Sequence, residues 1–150
     1  TAGFERGLML RSPARFQQAS RRLVELYRQR QNDILDLSIE DSVVRCYMDA
    51  EAYALSTYQT ASRLINNGAI GPESSCNKIF WSELDLRIHE TAMSLLGAKA
   101  EIERSSPDAD QQLANWLDGF LFAQSGPIYA GTNEIQRNII AERMLGMPRR

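Results

Sequence analysis

A chain of 150 residues with 43% apolar and 24% charged residues has the size and composition of one ordinary globular domain. Its formal charge of −2, with seventeen basic residues scattered among nineteen acidic ones, excludes a polycation that tracks nucleic acid and points to solvated helix faces. No apolar run reaches the roughly 18 residues needed to cross a membrane, and no secretory leader is expected. The first residue is Thr1 rather than Met, so the sequence reads as a piece of a longer polypeptide. Cys46 and Cys76 form no CxxC pair; both fall on apolar helical stripes and are expected to be buried thiols in a reducing compartment.

Helical periodicity dominates from the first element onward. Phe16, Ala19, Leu23 and Leu26 make one stripe of an amphipathic helix, with Ser12-Pro13 either a kink in it or a restart capped by Ser12. The polar residues 29–36 close that helix. A second begins at Ser38 with Glu40 and Asp41 at its positive end, and its apolar face is read as Val43, Tyr47, Ala50, Ala54, Ala61 and Leu64. Asn66-Asn67-Gly68 stops it. Gly71-Pro72-Glu73 opens a third helix with the stripe Cys76, Phe80, Leu84, Ile88, Ala92 and Leu95, ended by Gly97.

Residues 98–110 read as a polar loop around Ser105-Ser106-Pro107. A fourth helix carries Leu113, Trp116, Leu117, Phe120 and Leu121 and is broken at Ser125-Gly126-Pro127. A last helix follows Gly131-Thr132, carries Ile135, Ile139 and Ile140, and ends before Gly146 and Pro148. No segment alternates as a strand does. The expected fold is all-α: an antiparallel up-and-down bundle of four long helices plus a C-terminal one. The lone His89 has no second ligand at helical spacing, so no metal site is assigned and the residue is placed on a polar helix face. The aromatics Tyr47, Tyr53, Phe80, Trp81, Trp116 and Phe120 are expected mostly in the core.

The stretch Ile128-Tyr129-Ala130-Gly131-Thr132-Asn133-Glu134-Ile135-Gln136-Arg137, continuing through Asn138-Ile139-Ile140-Ala141-Glu142-Arg143, resembles the C-terminal signature of acyl-CoA dehydrogenases, I-Y-x-G-T-x-E/Q-I-Q-R. Phe4-Glu5-Arg6-Gly7 is similar to the start of the first helix of the same domain. The resemblance covers essentially the whole chain and implies that residues 1–150 are the C-terminal helical domain, with an N-terminal helical domain and a middle β-barrel lying elsewhere in the parent protein. It implies FAD as cofactor, with Gly131, Thr132 and Glu134 as flavin contacts. The plainer reading is that Thr132 or Asn133 caps the last helix, with Gln136 closing a capping box on Asn133.

The family reaction removes the α-proton of an acyl-CoA thioester as hydride leaves the β-carbon, giving the 2,3-enoyl-CoA, and it needs a carboxylate base in a dry site. Many members carry that glutamate directly after the signature Tyr, where this chain has Ala130. Isovaleryl- and long-chain-type members keep a small residue there and supply the base from the first helix, which matches Glu5. Arg6 matches an arginine that the family keeps near the reacting centre. Without the resemblance, Glu5 would read as an exposed acid in a first helical turn and Arg6 as one half of a surface ion pair.

Two segments depart from the family pattern. Arg28-Gln29-Arg30-Gln31-Asn32-Asp33 lacks the Phe-Gly of R-x-x-F-G, and Ser94-Leu95-Leu96-Gly97-Ala98 lacks the Gln and second Gly of Q-x-x-G-G. Both belong to the part of the domain that reaches a neighbouring subunit's flavin. The resemblance therefore implies an acyl-CoA dehydrogenase passing electrons to an electron-transfer flavoprotein, as a homotetramer or as an α2β2 heterotetramer with a paralogous subunit. The alternatives are a non-catalytic structural subunit and an acyl-CoA oxidase. The expected location is the cytoplasm of a bacterium, or the mitochondrial matrix if the source is eukaryotic.

Overall fold

Proline fits the first turn of a helix, where its missing N–H would have no partner, and α1 (Pro13–Arg30) begins on Pro13. Ser12 supplies the carbonyl that accepts the N–H of Arg15 at 3.2 Å, so the Ser12-Pro13 pair is a helix start and not a kink. The computed structural model describes residues 10–30, 38–68, 71–101, 105–106 and 110–148. Within them α2 (Ser38–Asn67), α3 (Ser74–Leu96), α4 (Gln111–Ala123) and α5 (Asn133–Arg143) follow α1, and no strand occurs among the described residues. None of these helices is long and apolar enough to cross a membrane.

Contacts between helices fix their directions. Gln17 meets Glu51 and Arg11 meets Tyr53, so α1 and α2 run opposite ways. Asp49 pairs with Arg87 while Ser56 reaches Asn77, which makes α2 and α3 antiparallel. His89 packs on Trp116, and Gly126 lies against Ser82, which does the same for α3 and α4. The order is up-down-up-down, and α5 packs on the N-terminal half of α3 through Asn133–Ser82 and Arg137–Glu83. The expected bundle is the observed one.

The core is built from Phe16, Leu23 and Leu26 of α1, Val43, Cys46, Ala50 and Tyr53 of α2, and Trp81, Leu84, Ile88, Ala92, Leu95 and Leu96 of α3, closed by Trp116 of α4. Each fully buried large apolar side chain is worth about 1.5–3 kcal/mol. The ring of Tyr53 joins the layers, standing edge-on to Phe16 at 5.1 Å and to Phe80 at 5.7 Å between ring centres. Helix α3 is the hub, touching α1, α2, α4 and α5. It is buried nearly all round, and so it carries Asn77, Lys78, Ser82, Asp85, His89 and Thr91 inside the protein.

That central position overturns several expectations drawn from stripes. Cys76 is exposed, because the side of α3 at its first turn is left open, whereas Cys46 is buried as expected. His89 is 8% exposed and not on a polar face: its Nδ1 lies 2.7 Å from the Asp85 carbonyl and its ring stands edge-on to Trp116. Tyr47 and Leu64 on α2, Leu121 on α4 and Ile135 on α5 are exposed, while Phe80 and Phe120 are half-buried. Residues 98–110 are not entirely loop, since a 3-10 turn spans Gly97–Glu101 before Asp110 caps α4 by accepting the N–H groups of Gln112 and Leu113.

Candidate functional site

The loop between α4 and α5 is where the sequence concentrates its site candidates, and local chemistry gives it an unusual backbone. Ala130 and Gly131 lie consecutively at positive φ, +56° and +82°. Glycine tolerates this freely and alanine does so at a cost. Gly131 is also fixed by space, since a Cβ there would sit 2.6 Å from Nε2 of Gln136. Thr132 is the N-cap of α5, and its hydroxyl accepts the N–H of Ile135 at 3.3 Å.

The expected capping box does not form. Gln136 is buried beneath the loop and donates Nε2 to the carbonyls of Ala130 (3.3 Å) and Gly131 (3.5 Å). It cannot cap Asn133, whose N–H is already taken by the Pro127 carbonyl at 2.9 Å. With the Ile135 and Gln136 N–H groups on Thr132, the α5 first turn is satisfied from within the chain. The donors facing outward are therefore one step earlier than expected: the N–H groups of Ala130, Gly131 and Thr132 have no partner among the described residues. Unpartnered backbone N–H groups just ahead of a helix N-terminus can receive an electron-rich group.

Glu134, the acidic residue of the same turn, is exposed. Its own backbone N–H and then the Thr132 hydroxyl hold its carboxyl below the usual value, with Arg137 and Lys78 adding to this and desolvation opposing it.

Beneath the loop lies a group that the sequence reading did not single out. Lys78 is wholly buried, donating Nζ to the Gly126 carbonyl at 3.0 Å and to Asn133 Oδ1 at 2.7 Å, with the ring centre of Trp81 5.7 Å away. Burial pushes its ammonium below the ordinary lysine value; Glu134 opposes this, Arg137 reinforces it and Glu83 opposes it. Ser82 adds a second donor to Asn133 Oδ1 at 3.1 Å. On the other flank Arg11 donates to the Tyr129 hydroxyl, and its guanidinium lies over the rings of Trp81 and Tyr129. The sequence carried no signal for these residues, because the burial of Lys78, Asn133 and Gln136 follows from the position of α3 among its neighbours.

The structure thus brings Gly131, Thr132 and Glu134 together at one end of α5. Glu5 and Arg6 lie outside the described residues. The altered family segments sit elsewhere: Arg28, Gln29 and Arg30 end α1, and Ser94 is exposed near the end of α3. Since α1 and α3 run the same way, with Arg15 against Asp85, both segments belong to the far end of the bundle. The twelve residues from Ser82 to Ser94 place about 18 Å of helix between the two ends. Gln31, Asn32 and Asp33 are outside the described residues.

Comparisons with known proteins agree with one another. The chain is 33% identical to the acyl-CoA dehydrogenase IpdE1 of Mycolicibacterium smegmatis over 154 aligned positions, covering 99% of this chain and 36% of that protein. It is 29% identical to the acyl-CoA dehydrogenase FadE26 of Mycobacterium tuberculosis over 116 positions, 74% of this chain and 28% of the relative. Among solved structures, the ChsE4-ChsE5 complex of Mycobacterium tuberculosis superposes with a TM-score of 0.73 at 27% identity, over 94% of this chain and 37% of that one. The Tcur3481-Tcur3483 steroid ACAD gives 0.76 at 22% identity over 92% and 35%, a likeness of fold. The chain spans about a third of the length of these relatives. The family model described as "Acyl-CoA dehydrogenase, C-terminal domain" matches residues 1–145, and the chain belongs to that family.

Proposed function

We propose that this domain is part of an FAD-dependent acyl-CoA dehydrogenase in which Glu5 removes the α-proton of the acyl thioester, and that the enzyme is a heteromer. The observation that carries the reading is the loop itself. Its base position after Tyr129 is Ala130, which has no ionisable group. A base must come from elsewhere, and Glu5 is the residue that the family pattern supplies.

The backbone donors of Ala130, Gly131 and Thr132 suit the electron-rich edge of a flavin. A bound flavin would supply the hydride-accepting chemistry at the β-carbon. This chain's part is to hold that edge in place and to supply the proton acceptor at Glu5 Oε, with Arg6 setting the local field. Electrons then pass to an electron-transfer flavoprotein.

The heteromer follows from the separation of the two ends. The flavin-facing loop is intact, whereas the distant segments at Arg28–Arg30 and Ser94 lack the family's Phe-Gly and Gln. Identical copies would form four sites, each missing the same half. A paralogous partner avoids this and leaves two complete sites, about half a flavin per subunit. The two-protein ChsE4-ChsE5 relative supports the same arrangement.

A second reading, a non-catalytic structural subunit, is favoured by the altered segments at Arg28–Arg30 and Ser94. Expressing the full-length chain alone and with its paralogue separates the possibilities. Flavin and turnover appearing only in the mixed assembly, with turnover but not flavin lost in Glu5→Gln, support the proposal. A homotetramer with four flavins and full turnover refutes the heteromer, and unchanged turnover in Glu5→Gln leaves the scaffold role.

A further inference from the structure

We propose that Lys78 is a positioning residue for the signature loop, clamping both of its ends to α3 so that the Ala130–Thr132 backbone keeps its outward-facing shape. Lysine is almost never fully buried without a carboxylate partner, yet Lys78 has no exposed surface and its two hydrogen-bond acceptors are neutral. A methionine of similar length would fill the same space without removing a charge from water. Core filling therefore does not explain the residue. What distinguishes it is where its donors go: the Gly126 carbonyl at one end of the loop and the Asn133 amide at the other.

Between those ends the first half of the loop is anchored by the Ile128 and Tyr129 N–H groups on the Ser125 carbonyl and by Arg11 on the Tyr129 hydroxyl, and the second half has fewer ties. The Asn133 N–H closes onto Pro127, and Gln136 supports the carbonyls of Ala130 and Gly131. Two successive residues at positive φ need such external support, because their conformation is not one that an unrestrained chain favours. Ser82 donates to the same Asn133 oxygen, so α3 grips the start of α5 at two points. The ring centre of Trp81 lies 5.7 Å from the ammonium and stabilises its charge, adding to the attraction of Glu134 and Glu83.

The consequence for flavin binding rests on the function proposed above; the clamp itself does not. The test compares Lys78→Met, Asn133→Ala and the double variant with the wild type, in the full-length protein assembled with its paralogue. Hydrogen–deuterium exchange is read on peptides covering the α4–α5 loop and on peptides from α2, and FAD affinity is read by fluorescence titration of the apoprotein. The expected result is exchange faster by at least ~10-fold in the loop with α2 unchanged, FAD binding weakened by ~10–10²-fold, and a double variant no worse than the singles. Exchange unchanged in the loop, or raised equally in α2, overturns the clamp. If Lys78→Met does not fold, Asn133→Ala carries the same test, since it removes an acceptor and keeps the charge. Loop-specific exchange in a protein whose wild type binds no FAD would uphold the clamp and remove the flavin reading instead.

Discussion

The Arg11 guanidinium donates to the Tyr129 hydroxyl at 2.6 Å, joining positions 118 residues apart. The backbone of Arg11 is held as well: its N–H donates to the Tyr53 hydroxyl at 3.1 Å, and that hydroxyl donates to the Arg11 carbonyl at 3.0 Å. The segment leading into α1, six residues after Glu5, is thus tied to the residue preceding Ala130. Tyr129→Phe and Arg11→Met should each lower stability by about 1 kcal/mol in denaturant titrations, with a coupling of about 1 kcal/mol in the double-mutant cycle. Strictly additive losses would show that the two side chains do not act together.

The base assignment makes a kinetic prediction. In the full-length enzyme Glu5→Gln should retain flavin but lose turnover by ~10²–10⁴-fold. Ala130→Glu in that background should restore part of it, and because Ala130 already carries a Cβ at φ +56°, the change adds no new backbone penalty. Rapid-mixing measurements of flavin bleaching by acyl-CoA thioesters read both effects.

Neighbouring substitutions in the loop should have opposite signs. Ala130→Gly relieves a left-handed alanine and should raise stability by roughly 0.5–1 kcal/mol. Gly131→Ala puts a Cβ at φ +82° and 2.6 Å from Gln136 Nε2, and should cost about 1–3 kcal/mol. Thermal melts of the pair decide it: equal effects of either sign would contradict the backbone geometry.

The two cysteines should differ in native alkylation. Exposed Cys76 should react with iodoacetamide at mildly alkaline pH, slowly because desolvation and then Glu73 push its thiol up, while Cys46 should react only after unfolding. Burial raises the Cys46 thiol above its ordinary 9.0, against the Thr91 hydroxyl, which pulls the other way. The folded state therefore favours the neutral thiol. Its contribution is fully present below pH 9.0 and is lost as the pH rises through the folded value, since the unfolded chain sheds that proton first. Cys46→Ala should flatten this alkaline loss in stability–pH curves, and an unchanged alkaline limb would exclude Cys46 as its source.

The sequence by itself determined the helices and their order, and most of their ends. Pro13, Gly68, Gly97 and Thr132 punctuate the chain for reasons local to the backbone, and a period of three to four residues needs no partner to be visible. It also determined the family, because the run from Ile128 to Arg137 is contiguous. Tertiary structure decided which faces of those helices are inside. A stripe says that a face is apolar and not that another helix covers it, so Cys76, Tyr47 and Ile135 came out exposed, while Lys78, His89, Asn133 and Gln136 were drawn inward. Their burial depends on α3 lying between four neighbours, and its hydrogen bonds join residues about fifty positions apart. The shape of the signature loop belongs to that second category: its motif is written in consecutive residues, but the lysine beneath it is placed only by the packing of α4 and α5 on α3.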